Sequence, residues 1–544
     1  MTLRITGGRV YDPANGVAGE VRDVCLSDGK VVDDVPAHAM RIDARGMVVM
    51  PGGVDIHAHI AGPKVNAARR LAPEEHRADV VDRSAVMRSG TGGTVPSTFV
   101  TGYRYALLGY TTVVEAATPP LAARHVLAEL RDTPIIDAAF LLLMGNNLAL
   151  FDLIRRDPAR LRDAVAWWLE ATGGYGVKLV NPGGVERWKH GNGNVTSLDD
   201  EVADVTPRQV IDAIAGAVHE LGLPHPVHVH CNNLGVAGNA RTTLDTLRTL
   251  EGRRAHLAHI QFHAYGGRPG GRPRSRAPEL AEYLGAHPEL SADVGQVMFG
   301  PATTMTADAP VSALLRDVTG GKWVNADTEV ETGCGIVPFT YREKNYVHAL
   351  QWGIGLELFL LSRDPWRLVL STDHPNGGSF LSYPRLIRLL MDRDFRNEQL
   401  RRANKRAMQR TVLLDDLERE YTLEEIAIVT RAGPARLLGL RDKGHLGAGA
   451  DADVTVNDER ADREEMFATP RYVIKGGRVV VRDGELVEAP AGGLLRVAAP
   501  YDPAVEDVLR AQFEERYTVQ FDNYPVREPW LLEPSERIPA GRPA

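Results

Sequence analysis

The feature that most constrains the fold is an alternation of short apolar runs with amphipathic stretches through the middle of the chain. Eight runs predict strands, namely GVDIHAHI, TTVVEAAT, AAFLLLMG, GVKLV, PVHVHCNN, HLAHIQFH, LSADVGQV and RLVLSTDH. Stretches such as 152–171 and 206–222 carry apolar residues at helical spacing. Eight strands that alternate with helices favour an α/β fold, a (β/α)₈ TIM barrel with insertions. An open doubly wound sheet is the alternative, but no GxGxxG follows an early strand.

The two ends of the chain share a different pattern, that of short strands broken at Gly, Asp or Pro. It occupies residues 1–50 and returns in 440–500, as in RYVIKGGRVVVRDGE and LLRVAAP. Because chain ends often meet, we expect 1–50 and 440–500 to form one composite small β-sandwich domain beside a barrel of residues 51–439. Two independent hairpin modules are the alternative. We expect residues 501–544 to be a C-terminal extension that covers a neighbour or a surface groove.

Bulk composition narrows the classes of partner. The 544 residues are 44% hydrophobic and 25% charged, which is typical of globular domains. A net charge of −8 argues against a nucleic-acid partner. No run approaches the roughly 18 apolar residues of a membrane span, and no signal peptide is recognised at the start, so a cytoplasmic location is expected. Three distant cysteines, Cys25, Cys231 and Cys334, predict neither a disulfide framework nor a cluster site.

The first candidate metal ligands are His57 and His59, at the end of the run MPGGVDIHAHI. Side chains two residues apart on a strand point to the same side, so both imidazoles can enter one site. Imidazole suits zinc and similar ions. A lone HxH pair is a weak signal, since histidines also occur as satisfied polar groups at strand ends. The position after Pro51-Gly52-Gly53 strengthens it.

Three later strand ends carry residues of the same kind, His230, His259 and Asp373. The carboxyl ends of barrel strands meet at one face, where active sites lie. Four strand ends with His or Asp therefore predict a shared functional cluster. His228 and His256 lie on the same strands and remain alternative ligands. We favour His230 and His259 because they are nearer the open ends.

Lys178 lies inside the apolar run GVKLV, where an ammonium would be costly to bury. A depressed pKa would leave a neutral amine that can react with CO₂ to give a carbamate. A carbamate has two oxygens and can bridge two divalent cations. The alternative is a lysine that reaches solvent or pairs with an acid.

Together these motifs resemble the amidohydrolase superfamily, in particular the branch of the dihydroorotases and hydantoinases. The resemblance is carried by PGGVDIHAH, Lys178, VHCNN around His230, and STDHP around Asp373. It implies two Zn²⁺ ions per chain, bridged by N6-carboxylated Lys178. The implied metal ligands are His57, His59, Lys178, His230, His259 and Asp373. Asp373 would also be the catalytic general base and acid.

Longer strings are similar to a narrower family, which comprises the A subunits of formylmethanofuran dehydrogenases and the alpha subunits of bacterial formyltransferase/hydrolase complexes. They are YDPANG, PGGVDIHAHIAGPKVNAAR, YGVKLVNPGGVERWKHG, HVHCNNLGVAGN, AHLAHIQFHAYGG and STDHPNGGSF. This resemblance implies hydrolysis of formylmethanofuran to formate and methanofuran, reversible in archaeal relatives, within a multisubunit complex. His263 and Asn232 are candidate substrate residues. The carboxylates of such a substrate could meet Arg268, Arg272, Arg274 and Arg276, although a solvated loop is the simpler interpretation.

Two other functions are compatible with these motifs. One is a cyclic amidase or N-acyl amino acid deacylase on the same barrel. The other is a non-catalytic subunit that keeps the fold without the chemistry, since fold alone does not imply function. Bound metal would argue against a non-catalytic subunit. The identity of the hydrolysed substrate would distinguish a cyclic amidase or deacylase from a formylmethanofuran hydrolase.

Overall fold

A computed structural model describes residues 2–320, 324–326, 331, 334–414, 417–531 and 533–541. Its centre is a barrel of eight strands, each of which coincides with one of the eight apolar runs to within one residue at its start. They are β1 (Gly53–Ala58), β2 (Tyr110–Thr118), β3 (Asp137–Leu143), β4 (Gly176–Val180), β5 (Val227–His230), β6 (Ala255–Leu257), β7 (Leu290–Asp293) and β8 (Leu368–Val369). Each strand pairs in parallel with the next. A parallel bridge between Ala58 and His374 closes the ring. The predicted (β/α)₈ fold is confirmed.

Helices cover the outside of the barrel, which is why its strands are apolar on both faces. The main helices are Thr98–Leu107, Ala123–Asp132, Leu148–Arg156, Leu161–Thr172, Pro207–Leu221, Ala240–Leu250, Ala277–Ala286, Ala309–Thr319, Tyr346–Leu361, Tyr383–Met391, Arg393–Arg402 and Gly433–Leu438. The predicted stretch 206–222 contains the helix Pro207–Leu221, which begins with a capping box at Thr206 and ends at Gly222. The stretch 152–171 spans two helices, because Pro158 interrupts the run.

A second sheet joins the two ends of the chain, as the composite arrangement requires. Its strands are Thr2–Asp12, Val17–Ser27, Lys30–Val32, Met40–Asp43, Met47–Pro51, Val454–Asp458, Tyr472–Lys475, Arg478–Arg482 and Glu485–Leu486. The two halves meet where Met47–Pro51 pairs antiparallel with Val454–Asp458. The run LLRVAAP differs from expectation, because its strand Leu494–Ala498 pairs with β3 of the barrel instead. The composite sheet therefore ends before the proposed boundary at residue 500.

Buried ion pairs connect this sheet to the barrel. Lys443 Nζ donates to Asp137 Oδ2 at 2.6 Å and to Asp451 Oδ2 at 2.7 Å. Lys475 Nζ donates to the same Asp137 oxygen at 2.7 Å and to Asp453 Oδ2 at 3.0 Å. Lys30 Nζ also donates to Asp451 Oδ1 at 2.8 Å, so three ammonium groups face three carboxylates at the junction.

The C-terminal extension packs on its own barrel. Strand Ser535–Pro539 pairs in parallel with Leu494–Ala498 and so widens the sheet beside β3. Helix Val505–Arg516 lies against Leu161–Thr172, where the rings of Phe513 and Trp168 stack with centroids 5.5 Å apart. Burial of an aromatic side chain of this size contributes about 1.5–3 kcal/mol. Within the described residues, no helix is long and apolar enough to cross a membrane.

Candidate metal centre

Six side chains from five strand ends converge on one cavity at the carboxyl end of the barrel, with a volume of about 280 Å³. They are His57, His59, Lys178, His230, His259 and Asp373. All six are buried, with at most 4% of each residue exposed. The structure thus brings together every residue that the sequence proposed as a metal ligand.

Asp373 lies directly opposite the HxH pair. Its Oδ1 is 3.2 Å from Nε2 of His57 and 3.2 Å from Nε2 of His59. Asn376 Nδ2 donates to the same oxygen at 2.9 Å, and the backbone φ of Asp373 is 51°. Burial alone would raise the pKa of this carboxyl, but His259 and His57 outweigh it and lower the pKa well below its usual range. The group is therefore an anion at neutral pH.

Lys178 provides the amine that carbamate formation needs. It is fully surrounded, and its Nζ has no hydrogen-bond partner among the described residues. Burial lowers the pKa of this amine to about 7, despite the opposing influence of Asp293 and Asp373. A buried lysine with neither a partner nor a stable charge is typical of a functional group rather than a structural one.

Carboxylates behind the HxH pair hold its two rings. Nδ1 of His57 lies 3.0 Å from Asp293 Oδ2, and Nδ1 of His59 lies 3.3 Å from Glu115 Oε1. Burial alone would raise the pKa of Glu115, but Lys64, His59 and backbone N–H donors lower it to about 2. A carboxylate on the far nitrogen fixes the tautomer and orientation of a metal-binding imidazole.

The other two histidines are held by similar means. His230 Nε2 lies 3.2 Å from Asp308 Oδ2, and the backbone N–H of His259 donates to Asp293 Oδ1 at 2.9 Å. Burial lowers the pKa of both imidazoles, so both are neutral bases at pH 7. Neutral imidazole is the form that binds a metal ion.

The alternative ligands lie deeper in the barrel and do not line the cavity. His228 Nε2 is 3.0 Å from His57 Nδ1, and its Nδ1 is 3.0 Å from His225 Nε2. His256 lies 2.9 Å from Ser291 Oγ and 3.3 Å from Asp293 Oδ2. These histidines support the site from below.

The two candidate substrate residues are also outside the cavity wall. Asn232 is buried and donates to Asn181 Oδ1 at 2.7 Å and to the Pro182 carbonyl at 3.0 Å. This geometry suits a residue that braces the loop after β4. His263 is buried beside His230 and His259, with ring centroids 5.2 and 5.3 Å away.

Three residues of the site were not predicted from the sequence, namely Glu115, Asp293 and Asp308. Glu115 and Asp293 each stand inside an apolar strand, which is the signal that could have identified them. Asp308 follows the strand Gly300–Thr306 of an insertion and carried no such signal. Its Oδ1 accepts a hydrogen bond from Asn181 Nδ2 at 2.9 Å.

An insertion between β7 and β8 supplies the cavity's apolar wall. Helix Ala309–Thr319 contributes Val311, Leu314, Leu315 and Val318, and strand Cys334–Tyr341 contributes Phe339 and Tyr341. Leu314 and Val318 remain 49% and 75% exposed at the mouth. A polar floor beneath an apolar entrance suits a substrate with a small reactive group on an apolar body.

A basic groove of about 1390 Å³ adjoins this mouth. Tyr346 lines the groove while its neighbours Asn345 and Val347 line the cavity. The four predicted arginines line it, together with Arg241, Arg248, Arg406 and Arg410. Glu279, which pairs with Arg276, is the one acidic residue among the described residues that line it. The segment 266–276 is partly ordered by pairing of Tyr265–Gly266 with Arg274–Ser275.

The donor set fits divalent cations. Lys178 Nζ and His259 Nδ1 are buried without hydrogen-bond partners in the described chain, and such orphaned atoms are costly unless a ligand binds them. Two groups of three side chains have donor atoms that all lie within 4.8 Å of one another. The first group is His57, His259 and Asp373, and the second is His230, His259 and His263. Imidazole nitrogens and carboxylate oxygens are the donors typical of zinc sites.

Comparisons with known proteins place the chain beside proteins of similar sequence. The sequence model of the amidohydrolase family matches residues 41–481. Protein FwdA of Methanocaldococcus jannaschii is 45% identical over 97% of both chains. The A subunit of the formyltransferase/hydrolase complex Fhc of Methylorubrum extorquens is 41% identical over 97% of this chain and 96% of its own.

Solved structures give the same result. A chain from the crystal structure of the formyltransferase/hydrolase complex FhcABCD of Methylorubrum extorquens, in complex with methylofuran, superposes with a TM-score of 0.93. It is 40% identical and covers 99% of this chain and 100% of its own. The zinc-bound N-acyl-D-glutamate deacylase of Bordetella bronchiseptica, 18% identical with a TM-score of 0.50 over 90% of this chain and 98% of its own, shares the fold.

Proposed function

This chain belongs to the amidohydrolase family, and from that premise we propose that it hydrolyses the formamide bond of a formylmethanofuran-like substrate. The balanced reaction is R–NH–CHO + H₂O → R–NH₃⁺ + HCOO⁻. One observation carries the proposal: four buried histidines, an unpartnered lysine and an anionic aspartate meet on the floor of one cavity. The near full-length similarity to the A subunit of an Fhc complex supports the choice of substrate.

The proposed cofactor is a pair of Zn²⁺ ions. His57, His59 and Asp373 would hold one ion, while His230 and His259 would hold the other. Lys178 would bridge them after its neutral amine adds CO₂, giving R–NH–COO⁻ and one proton. When bound, the ions would acidify water and polarise the formyl carbonyl.

Asp373 is the proposed general base and acid. Its carboxylate, whose pKa is lowered by His259 and His57, would accept a proton from the attacking water. The same group then returns the proton to the departing nitrogen, so that the amine leaves in a stable form. Glu115 and Asp293 keep the HxH rings oriented during this exchange.

The basic groove is the proposed site for the anionic end of the substrate. Eight arginines and one glutamate line it, so it carries a net positive charge, and guanidinium groups bind carboxylates well. The groove meets the catalytic cavity at residues 345–347, so one extended molecule could occupy both. We further propose that the chain works within a multisubunit complex, as its relative in FhcABCD does.

The decisive experiment measures metal content and formate release on one purified sample. We expect about two zinc ions per chain together with formate release from formylmethanofuran. Two ions with hydrolysis of hydantoins or acylated amino acids instead would favour the cyclic amidase or deacylase alternative. Absence of tightly bound metal, with no recovery after zinc and bicarbonate are added, would favour a non-catalytic subunit.

A further inference from the structure

His263 lies beside the proposed metal ligands but is not one of the six. The backbone turns sharply at His259, whose φ is 33°, and the short helix Ile260–His263 follows. This turn carries the ring of His263 back to the rings of His230 and His259, 5.2 and 5.3 Å away between centroids. Thr243 Oγ1 donates to the His263 carbonyl at 3.0 Å and anchors the end of the turn.

The ring of His263 is buried without any polar contact. Its exposed fraction is 0%, and neither Nδ1 nor Nε2 has a hydrogen-bond partner within the described residues. The other deep histidines differ, since His225, His228 and His256 each use both nitrogens. An imidazole kept only for packing would be expected to have at least one partner.

The geometry of the three rings suits a common ion. One nitrogen each from His230, His259 and His263 all lie within 4.8 Å of one another. Nitrogens bound to one zinc ion at about 2.1 Å are roughly 3.4 Å apart in a tetrahedral arrangement, which falls within this limit. Contact with substrate alone would leave unexplained why one nitrogen of His263 converges with nitrogens of His230 and His259.

We propose that His263 is a third imidazole donor to the metal ion held by His230 and His259. The inference rests on the proposed dinuclear centre and adds a ligand to it. With the Lys178 bridge and a water, this ion would be five-coordinate, whereas the ion at the HxH pair would have no third histidine. The two ions would therefore differ in affinity and in spectrum.

The test measures metal binding in the full-length chain within its native complex. His263→Gln keeps the size and polarity of the side chain, and His263→Gly leaves a hole that free imidazole can fill. His348→Gln is the matched control, because His348 lines the cavity but does not belong to the three-histidine group. Each protein is dialysed against a weak chelator and then assayed for zinc content and for the visible absorption of its Co²⁺ form.

We expect wild type and His348→Gln to keep about two ions per chain and His263→Gln about one. The Co²⁺ bands of His263→Gly should shift and should return on addition of imidazole. Retention of both ions with unchanged Co²⁺ bands in both His263 variants would overturn the inference while the proposed function stands. Absence of metal in the wild type would instead overturn the proposed function and the inference with it.

Discussion

Two lysines are buried almost equally in this protein, and their surroundings are opposite. Lys178 lies at the floor of the cavity, without a partner in the described chain, and burial lowers its pKa to about 7. Lys443 lies between the barrel and the composite sheet. Burial would lower its pKa too, but Asp137, Asp453 and Asp451 outweigh it and raise the pKa well above its usual value.

The same contrast holds for the acidic groups of the two regions. Oxygens of Asp137, Asp451 and Asp453 lie within 4.8 Å of one another, as the atoms of a metal site do. Lys30, Lys443 and Lys475 already pair with these three carboxylates, so this group needs no ion. Burial therefore does not distinguish a functional charged residue from a structural one. The difference is whether an oppositely charged side chain pairs with it.

The largest expected effect concerns Asp373, the anionic carboxylate in the catalytic cavity. Asp373→Ala should lower kcat for formate release by about a hundred- to ten-thousand-fold, because the proton acceptor and donor is lost. Zinc content should remain above half of the wild-type value, since the histidines stay in place. Asp212→Ala, which removes an exposed partner of Arg253, is the control and should leave the rate unchanged. Near-wild-type turnover by Asp373→Ala would contradict the assignment of the base.

Matched substitutions of the two lysines should give opposite results. Lys178→Met should abolish formate release and the tight binding of metal, with thermal stability kept or raised, because an uncompensated amine is replaced by an apolar side chain. Lys443→Met should retain metal but lose about 3–5 kcal/mol of stability, because it leaves buried carboxylates without their cation. Denaturant unfolding and zinc analysis of both variants measure the two effects. Equal destabilisation by the two substitutions would remove the distinction between the regions.

The pH dependence of unfolding should reveal the ion pairs between the barrel and the composite sheet. The pKa of Asp137 is lowered in the folded state from its ordinary value of 3.8, since Lys443 and Lys475 outweigh the effect of burial. A carboxylate of this kind contributes stability above the unfolded pKa and loses it as pH falls through the folded pKa. The wild-type unfolding midpoint should therefore hold down to about pH 4 and fall below it. In Lys443→Met the pKa of folded Asp137 should be less depressed, so the loss of stability below pH 4 should be smaller. Coincident profiles would contradict the pairing.

The smallest expected effect concerns the arginines of the basic groove at the protein surface. Replacement of Arg268, Arg272, Arg274 and Arg276 by Ala should raise KM for the polyanionic substrate roughly tenfold with little change in kcat. Four arginines outside the groove, each with an acidic partner, form the control set, namely Arg45, Arg208, Arg253 and Arg510. An unchanged KM in the first variant would remove the groove from the substrate site.

Much of the barrel could be predicted because its strands are apolar on both faces and interrupted by helical stretches. The histidine and aspartate ligands could be predicted because they stand at or just after strand ends, whereas Lys178 could be predicted because it is a lysine inside an apolar strand. Glu115 and Asp293 were not predicted, because single acidic residues in apolar strands were not treated as candidates. The strand Leu494–Ala498 was assigned to the wrong sheet, since an apolar pattern predicts a strand but not its partner.

The sequence by itself determined the fold class, the composite origin of the second sheet and the residue types at each strand end. These follow from local periodicity and from the chemistry of side chains. Only the tertiary structure decided which buried charges are compensated, because Lys178 and Lys443 look alike in sequence until their neighbours are known. It also decided that His263 lies beside His230 and His259, since that proximity depends on a single left-handed turn at His259.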